Sequence, residues 1–195
     1  MAEELRLIVG LGNPGPDYAL TRHNAGQWFI ETLARDFNLT LKPEKKAFGL
    51  VAKGQIHHQE IKLLIPTTFM NQSGQAIAAL SHFYKIPPQQ MLIAHDELDF
   101  LPGQIRLKQN GGHGGHNGLR NTISSLGQKK TFHRLRIGIG HPGDARKVSQ
   151  YVLKTTPKSE QLLIESAIDE AIRVLPDILS GQWQQAMNRL HTFKG

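Results

Sequence analysis

The chain has 195 residues, with 23 Lys and Arg against 16 Asp and Glu, a formal charge of +7. Its 39% apolar content, 19 Gly and 10 Pro are those of a globular chain rather than a disordered tail or a collagen, and one domain spanning 1–195 is expected at this length. Cys is absent, which excludes a disulfide scaffold, a Cys-ligated zinc site, a thiol nucleophile and an iron–sulfur cluster.

In chain order, residues 5–9 (LRLIV) read as a short buried strand. A Gly- and Pro-rich loop follows over 10–23. Asn24 is placed to cap a helix on which Trp28, Phe29, Leu33 and Phe37 share a face. Residues 42–46 read as a charged connector. Strands are expected over 48–56 and 61–65, joined near His57 and His58. Ile77, Leu80, Phe83 and Tyr84 mark a second helix, stopped by Pro87 and Pro88. Residues 91–95 are a buried strand and 105–107 a shorter one. A glycine-rich loop over 111–118 leads into a helix reaching about residue 126. Residues 134–139 alternate charged and apolar, the pattern of a half-exposed strand. From 158 onward the pattern is helical, broken near Pro176 and Gly181. Strands alternating with helices predict an α/β fold: a single domain with a twisted mixed, mostly parallel sheet sandwiched between helices. The start, MAEELRLIVGLG, lacks a basic segment ahead of a long apolar run. No apolar stretch approaches the ~20 residues of a membrane span. A soluble, cytoplasmic protein with no membrane partner is expected.

The charge is uneven. Residues 103–147 hold nine basic residues (Arg106, Lys108, Arg120, Lys129, Lys130, Arg134, Arg136, Arg146, Lys147) and one acidic residue, Asp144. This segment carries +8 and the other 150 residues carry −1. Such clustering is the footprint of a polyanion partner, with a biased solvated surface as the plain alternative.

Four segments carry polar groups suited to chemistry. GLGNPG at 10–15 matches G-x-G-x-x-G, but a dinucleotide site needs a helix to open there, and Pro14, Gly15 and Pro16 make a turn instead. The loop places Asn13 beyond the carboxyl end of a strand, where it is either a site residue or a turn residue. His23, in the same loop, is a candidate general base, although a single His among ten is more often structural. Asn71, after PTTFM, is either an oxyanion donor or a helix cap. Asp96, ending a strand in AHDE, can orient an imidazole, cap a loop or bind Mg²⁺. The GGHGGHNG run places backbone N–H groups and the Asn117 amide before a helix N-terminus, an anion or substrate site. His113 and His116 there invite a weaker metal reading.

Together these segments resemble the bacterial-type peptidyl-tRNA hydrolase family. The likeness runs in order through VGLGNPGPDYALTRHNAG, PTTFMNQSG, AHDELD, GGHGGHNGLRN and FHRLRIGIGHPG, nearly the whole chain, and is least distinctive in the C-terminal third. It implies hydrolysis of the ester between a peptide and the 3′ ribose of tRNA. By that resemblance His23 would be the base that activates water and Asp96 the carboxylate holding it. Asn13 would discriminate N-blocked from free aminoacyl-tRNA, and Asn71 and Asn117 would position peptide backbone and water. Tyr18, Phe69 and Met70 would line the substrate cleft, with His116 among the substrate-binding residues. Lys108 and Arg136 would grip a tRNA phosphate, beside Arg106. The family is monomeric as a rule, with no metal, no organic cofactor and no obligate protein partner. A non-hydrolytic RNA-binding protein is the competing reading, and a nicotinamide dehydrogenase a remote one.

Overall fold

The structure, a computed structural model, describes residues 4–195. Its strands are β1 (Leu7–Gly10), β2 (Lys42–Glu44), β3 (Gly49–Ile56), β4 (Gln59–Pro66), β5 (Met91–Glu97), β6 (Ile105–Gln109) and β7 (His133–Gly138). Its helices are α1 (Ala25–Asp36), α2 (Ser73–Phe83), α3 (Asn117–Ser125), α4 (Val148–Val152), α5 (Lys158–Arg173), α6 (Leu175–Leu179) and α7 (Trp183–Thr192). The strands form one sheet in the order β2-β3-β4-β1-β5-β7-β6. The β4, β1, β5 and β7 core is parallel, and β2, β3 and β6 join antiparallel. The mixed, mostly parallel sheet between helices is as expected.

Side chains alternate across the strands, so each central strand feeds two cores. Ile8, Leu92, Ala94, Leu135 and Ile137 pack under α1 and the C-terminal helices. Leu7, Val9, Met91 and Ile93 pack under α2 and α3. Helix α1 lies close on the sheet because two glycines leave room. A Cβ on Gly10 would sit 2.2 Å from the Gly26 carbonyl oxygen, and one on Gly26 would sit 2.2 Å from that of Ala94.

The structure differs from expectation in places with clear causes. Residues 42–44 form an exposed edge strand instead of a connector, since pairing to β3 needs backbone and no apolar side chain. The β3–β4 turn is the expected His57–His58 pair, both left-handed (φ 48° and 67°) as a two-residue hairpin loop requires. Helix α2 ends at Phe83, before the prolines, where Lys85 turns left-handed (φ 54°). Strand β7 is buried along most of its length, with Arg134 only 3% exposed, because β5 and β6 flank it and a loop covers it. Helix α4 has no counterpart in the sequence reading. No described helix is long and apolar enough to cross a membrane.

Candidate active site

The carboxyl ends of β1, β4 and β5 meet at one edge of the sheet, and the loops leaving them hold the polar groups, as open α/β sheets place their sites. A cleft of about 620 Å³ lies there, lined by His23, Asp96, His116, Asn117, Arg134 and Arg136 among others.

His23 sits on a short helical turn, Arg22–Asn24. That turn is stitched to the segment before α5. Arg22 N–H donates to the Lys154 carbonyl at 3.4 Å and Thr156 N–H to that of Leu20 at 2.9 Å. The buried Arg22 guanidinium lies 3.9 Å over the Tyr151 ring and bonds Glu160 at 3.0 Å. Against this anchor His23 Nδ1 donates to both Asp96 oxygens, at 3.0 and 2.9 Å. His23 Nε2 makes no hydrogen bond to another described residue.

Asp96 is shared. His116 Nε2 reaches its Oδ1 at 2.7 Å, and the His23 and His116 rings lie 5.0 Å apart. His116 also caps α3, its Nδ1 accepting from Leu119 N–H at 3.2 Å. An accepting Nδ1 puts the ring proton on Nε2, so His116 donates to Asp96. Burial opposes the Asp96 carboxylate, but the two imidazoles hold its pKa far below the ordinary range. Burial also opposes the His23 imidazolium; the charge of Asp96 and its hydrogen bond outweigh that and raise its pKa. The three side chains offer ligand atoms within 4.8 Å of one another. A cation would have to replace both ring protons that now face the carboxylate, so the donor set suits a proton network better than a metal.

Asn13 and Asn24 form a second unit. Asn24 stands at the helix start but makes no capping bond. Its Oδ1 accepts from Asn13 N–H at 2.8 Å and its Nδ2 donates to the Asn13 carbonyl at 3.0 Å. Asn13 Oδ1 in turn accepts from Met70 N–H at 2.7 Å. With its oxygen engaged, Asn13 presents its Nδ2 hydrogens. Asn117 repeats the arrangement: its Oδ1 accepts from Arg120 at 2.9 Å, leaving its amide hydrogens for the cleft it lines.

The remaining candidates fall into two groups. Tyr18 and the exposed Phe69 meet edge to face at 6.2 Å. Asn71 is exposed on the turn after β4. Met70 is buried in the core under α2 and α3, and a Cβ on Gly118 would sit 2.6 Å from its sulfur. On the other side, the β6–β7 register pairs Arg106 with Arg136 and Lys108 with Arg134, putting all four cations on one sheet face. Arg106 and Arg136 both lie 4.7 Å over the Phe100 ring. Arg136 bonds Glu97 at 2.8 Å, and Asp99 stands 3.9 Å away. Lys108 is exposed.

Sequence reasoning missed Asn24 as the clamp on Asn13, because a cap and a bridge have the same residue type at the same place. It also passed over His95. That ring is buried beneath His116, 5.2 Å away, and burial pushes it down to about 3. Its Nδ1 donates to the Asp96 carbonyl at 2.8 Å. Adjacency to Asp96 was the one available signal.

A family model described as peptidyl-tRNA hydrolase matches residues 7–195. The peptidyl-tRNA hydrolase of Vibrio campbellii is 57% identical over 194 residues, covering 100% of this chain and 99% of that protein. That of Chromohalobacter salexigens is 56% identical over 190 residues, covering 97% and 98%. A crystal structure of peptidyl-tRNA hydrolase from Acinetobacter baumannii superposes with a TM-score of 0.94 at 52% identity, covering 97% of this chain and 96% of that one.

Proposed function

This chain belongs to the peptidyl-tRNA hydrolase family, and from that membership we propose that it cleaves the ester joining a peptide, or an N-blocked aminoacyl group, to the 3′ ribose of tRNA. The products are the free acid and a tRNA fit for reuse. The observation that carries the reading is His23, a residue that lines the cleft: Nδ1 is fixed by Asp96, while Nε2 has no partner among the described residues.

In this reading Nε2 takes a proton from water as the water oxygen attacks the ester carbonyl. The imidazolium that forms is stabilised by the Asp96 carboxylate. Charge develops on the former carbonyl oxygen and meets amide hydrogens from the Asn71 and Asn117 side chains. The tetrahedral intermediate then collapses. The bond to the ribose oxygen breaks, and His23 returns its proton to that oxygen. An ester leaving group needs no covalent enzyme intermediate, and the residues present supply the whole proton path without a metal.

Asn13 would account for selectivity. Its Oδ1 is already occupied by Met70 N–H, so it offers only donors. An N-blocked substrate presents an amide carbonyl that accepts them, and a free α-amino group presents none. A site built around a hydrogen bond rejects the analogue lacking it. Tyr18 and Phe69 would give a sequence-tolerant apolar surface for the peptide. Lys108, Arg106 and Arg136 would bind a tRNA phosphate, a contact that confers affinity without base sequence. We propose a monomer acting in the cytoplasm in support of translation, with no obligate protein partner.

The test is release of N-acetyl-aminoacyl-tRNA beside unblocked aminoacyl-tRNA, with and without EDTA, by the wild type and His23→Ala. Release of the blocked substrate alone, insensitive to EDTA and lost in the variant while tRNA binding survives, supports the reading. Tight binding without release would move the protein to RNA binding alone.

A further inference from the structure

We propose that Arg134 is a positioning residue for this hydrolysis: its guanidinium clamps the glycine-rich loop 110–115 and so sets His116 and Asn117 at the cleft. The inference rests on the hydrolytic reading above.

Arg134 stands apart from the other cations of the basic segment. Arg106, Lys108 and Arg136 are half-buried or exposed, while Arg134 is 3% exposed. Among the described residues it has no salt-bridge partner, since the nearby Glu97 gives its Oε1 to Arg136. Burial of an unpaired cation is costly, and a protein retains one where it makes something else possible. Here Nη1 donates to the Gly112 carbonyl and Nη2 to the Gly111 carbonyl. These are charge-assisted bonds in the planar fork that Arg alone offers. The guanidinium is seated 4.7 Å over the ring of Phe132, which is fully buried. Two of the five guanidinium N–H donors are thus spent on the loop, one from each Nη, and Nε is buried.

The loop has little else to hold it. Asn110, Gly111, Gly114 and Gly115 all lie at positive φ, between 57° and 109°. A Cβ on Gly111 would sit 3.0 Å from the Lys108 side chain, but one on Gly112, Gly114 or Gly115 would touch nothing within 4 Å, so the far part of the loop faces open space. Its internal bonds tie Gly115 N–H to His113 Nδ1 and His116 N–H to the His113 carbonyl, both at 2.9 Å. They shape the turn without fixing it to the sheet. Where the loop begins, Asn110 N–H reaches the Phe132 carbonyl at 3.4 Å; the Arg134 fork makes the next connection, four residues before His116, whose Nε2 lies 2.7 Å from Asp96. Asn117 follows directly. Arg134 thus reaches the reacting atoms only through the loop.

The experiment compares Arg134→Gln and Arg134→Lys with the wild type in release of N-acetyl-aminoacyl-tRNA and in tRNA binding across a salt series. Arg134→Gln is expected to lower kcat roughly 10- to 100-fold, with KM and the salt slope of binding unchanged. Arg134→Lys, which can reach one carbonyl, should recover part of the loss. In a His116→Ala background the cost of Arg134→Gln should shrink, because the first variant already removes what Arg134 positions. Unchanged kcat, or equal costs in both backgrounds, overturns the proposal. So does a salt slope reduced by about one unit, which would make Arg134 a phosphate contact. If the Gln variant fails to fold, ¹⁵N relaxation of the wild type decides. Order parameters near ~0.85 at Gly111 and Gly112 support the clamp, and values below ~0.6 overturn it. Wild-type turnover separates the two levels: its absence sinks the hydrolytic reading, and its presence confines any failure to Arg134.

Discussion

Replacing Asn24 by Ala should damage stability and turnover together, although Asn24 touches no reacting atom in the proposed mechanism. Asn24 is fully buried, and its amide satisfies both backbone groups of Asn13, at 2.8 and 3.0 Å. Truncation leaves a buried N–H and a buried C=O unpaired, since Asn13 itself is 6% exposed. At roughly 1–2 kcal/mol for each group, the loss is about 3 kcal/mol. For a domain of this size that is roughly 6–12 °C in Tm. The freed loop would also carry Asn13 away from Met70, and a displacement near 1 Å is worth on the order of 10²-fold in rate. Asn24→Asp separates the two halves of the clamp. It keeps an acceptor for Asn13 N–H but sets a carboxylate against the Asn13 carbonyl, and it too should be destabilised. The assay is thermal unfolding by circular dichroism at pH 7, paired with single-turnover release of N-acetyl-aminoacyl-tRNA. An Ala variant within 2 °C of wild type (about 1 kcal/mol or less) and within about threefold in rate would refute the reasoning, because Asn24 would then act only as an ordinary helix start.

Two further outcomes rest on charge. His23 must be unprotonated to accept a proton and its pKa is raised above 6.5, so the acid limb of kcat/KM should lie above pH 6.5. Asp96→Asn removes the raising influence and leaves burial, so the limb should move below pH 6.5 even as the rate falls; a limb that stays in place would show that another group titrates. The same pair links to stability. The raised His23 contributes fully below 6.5 and loses its contribution as pH climbs through its folded pKa, while the depressed Asp96 contributes above 3.8 and loses it in stronger acid. Wild type minus Asp96→Asn should therefore show its largest Tm difference between pH 3.8 and 6.5. For the phosphate grip, Lys108→Ala should lower the salt slope of tRNA binding by roughly one unit. Arg136→Ala should weaken binding more, since it also leaves Glu97 and Asp99 uncompensated; equal effects would argue against their pairing in solution.

Much of the architecture was legible because it follows from local pattern. The apolar runs at residues 5–9 and 91–95 became adjacent central strands, and Gly- and Pro-rich stretches became loops. Where local pattern misled, tertiary packing was the reason. Arg134 and Arg136 alternate with Leu135 and Ile137 as a half-wet strand would, yet the glycine-rich loop folds over that face and buries Arg134. Residues 42–44 had no apolar signal, and their ladder to β3 needed none.

For the site, the sequence by itself determined which chemical groups the protein has: an imidazole without a thiol or hydroxyl partner, a carboxylate at a strand end, three amides and a basic segment. Only the tertiary structure decided how they act. Asp96 lies 73 residues from His23 and 20 from His116 in the chain. They share one carboxylate because β1 and β5 pair side by side and because the glycine loop folds back over the strand ends. The proton on His116 is assigned by the N–H of Leu119, a helix-terminus group with no signature in the sequence. The directions of the Asn13 and Asn117 amides are likewise set by Met70 N–H and Arg120. Composition fixes the donors and acceptors, but which hydrogen points at the cleft depends on which neighbour has already claimed the other end.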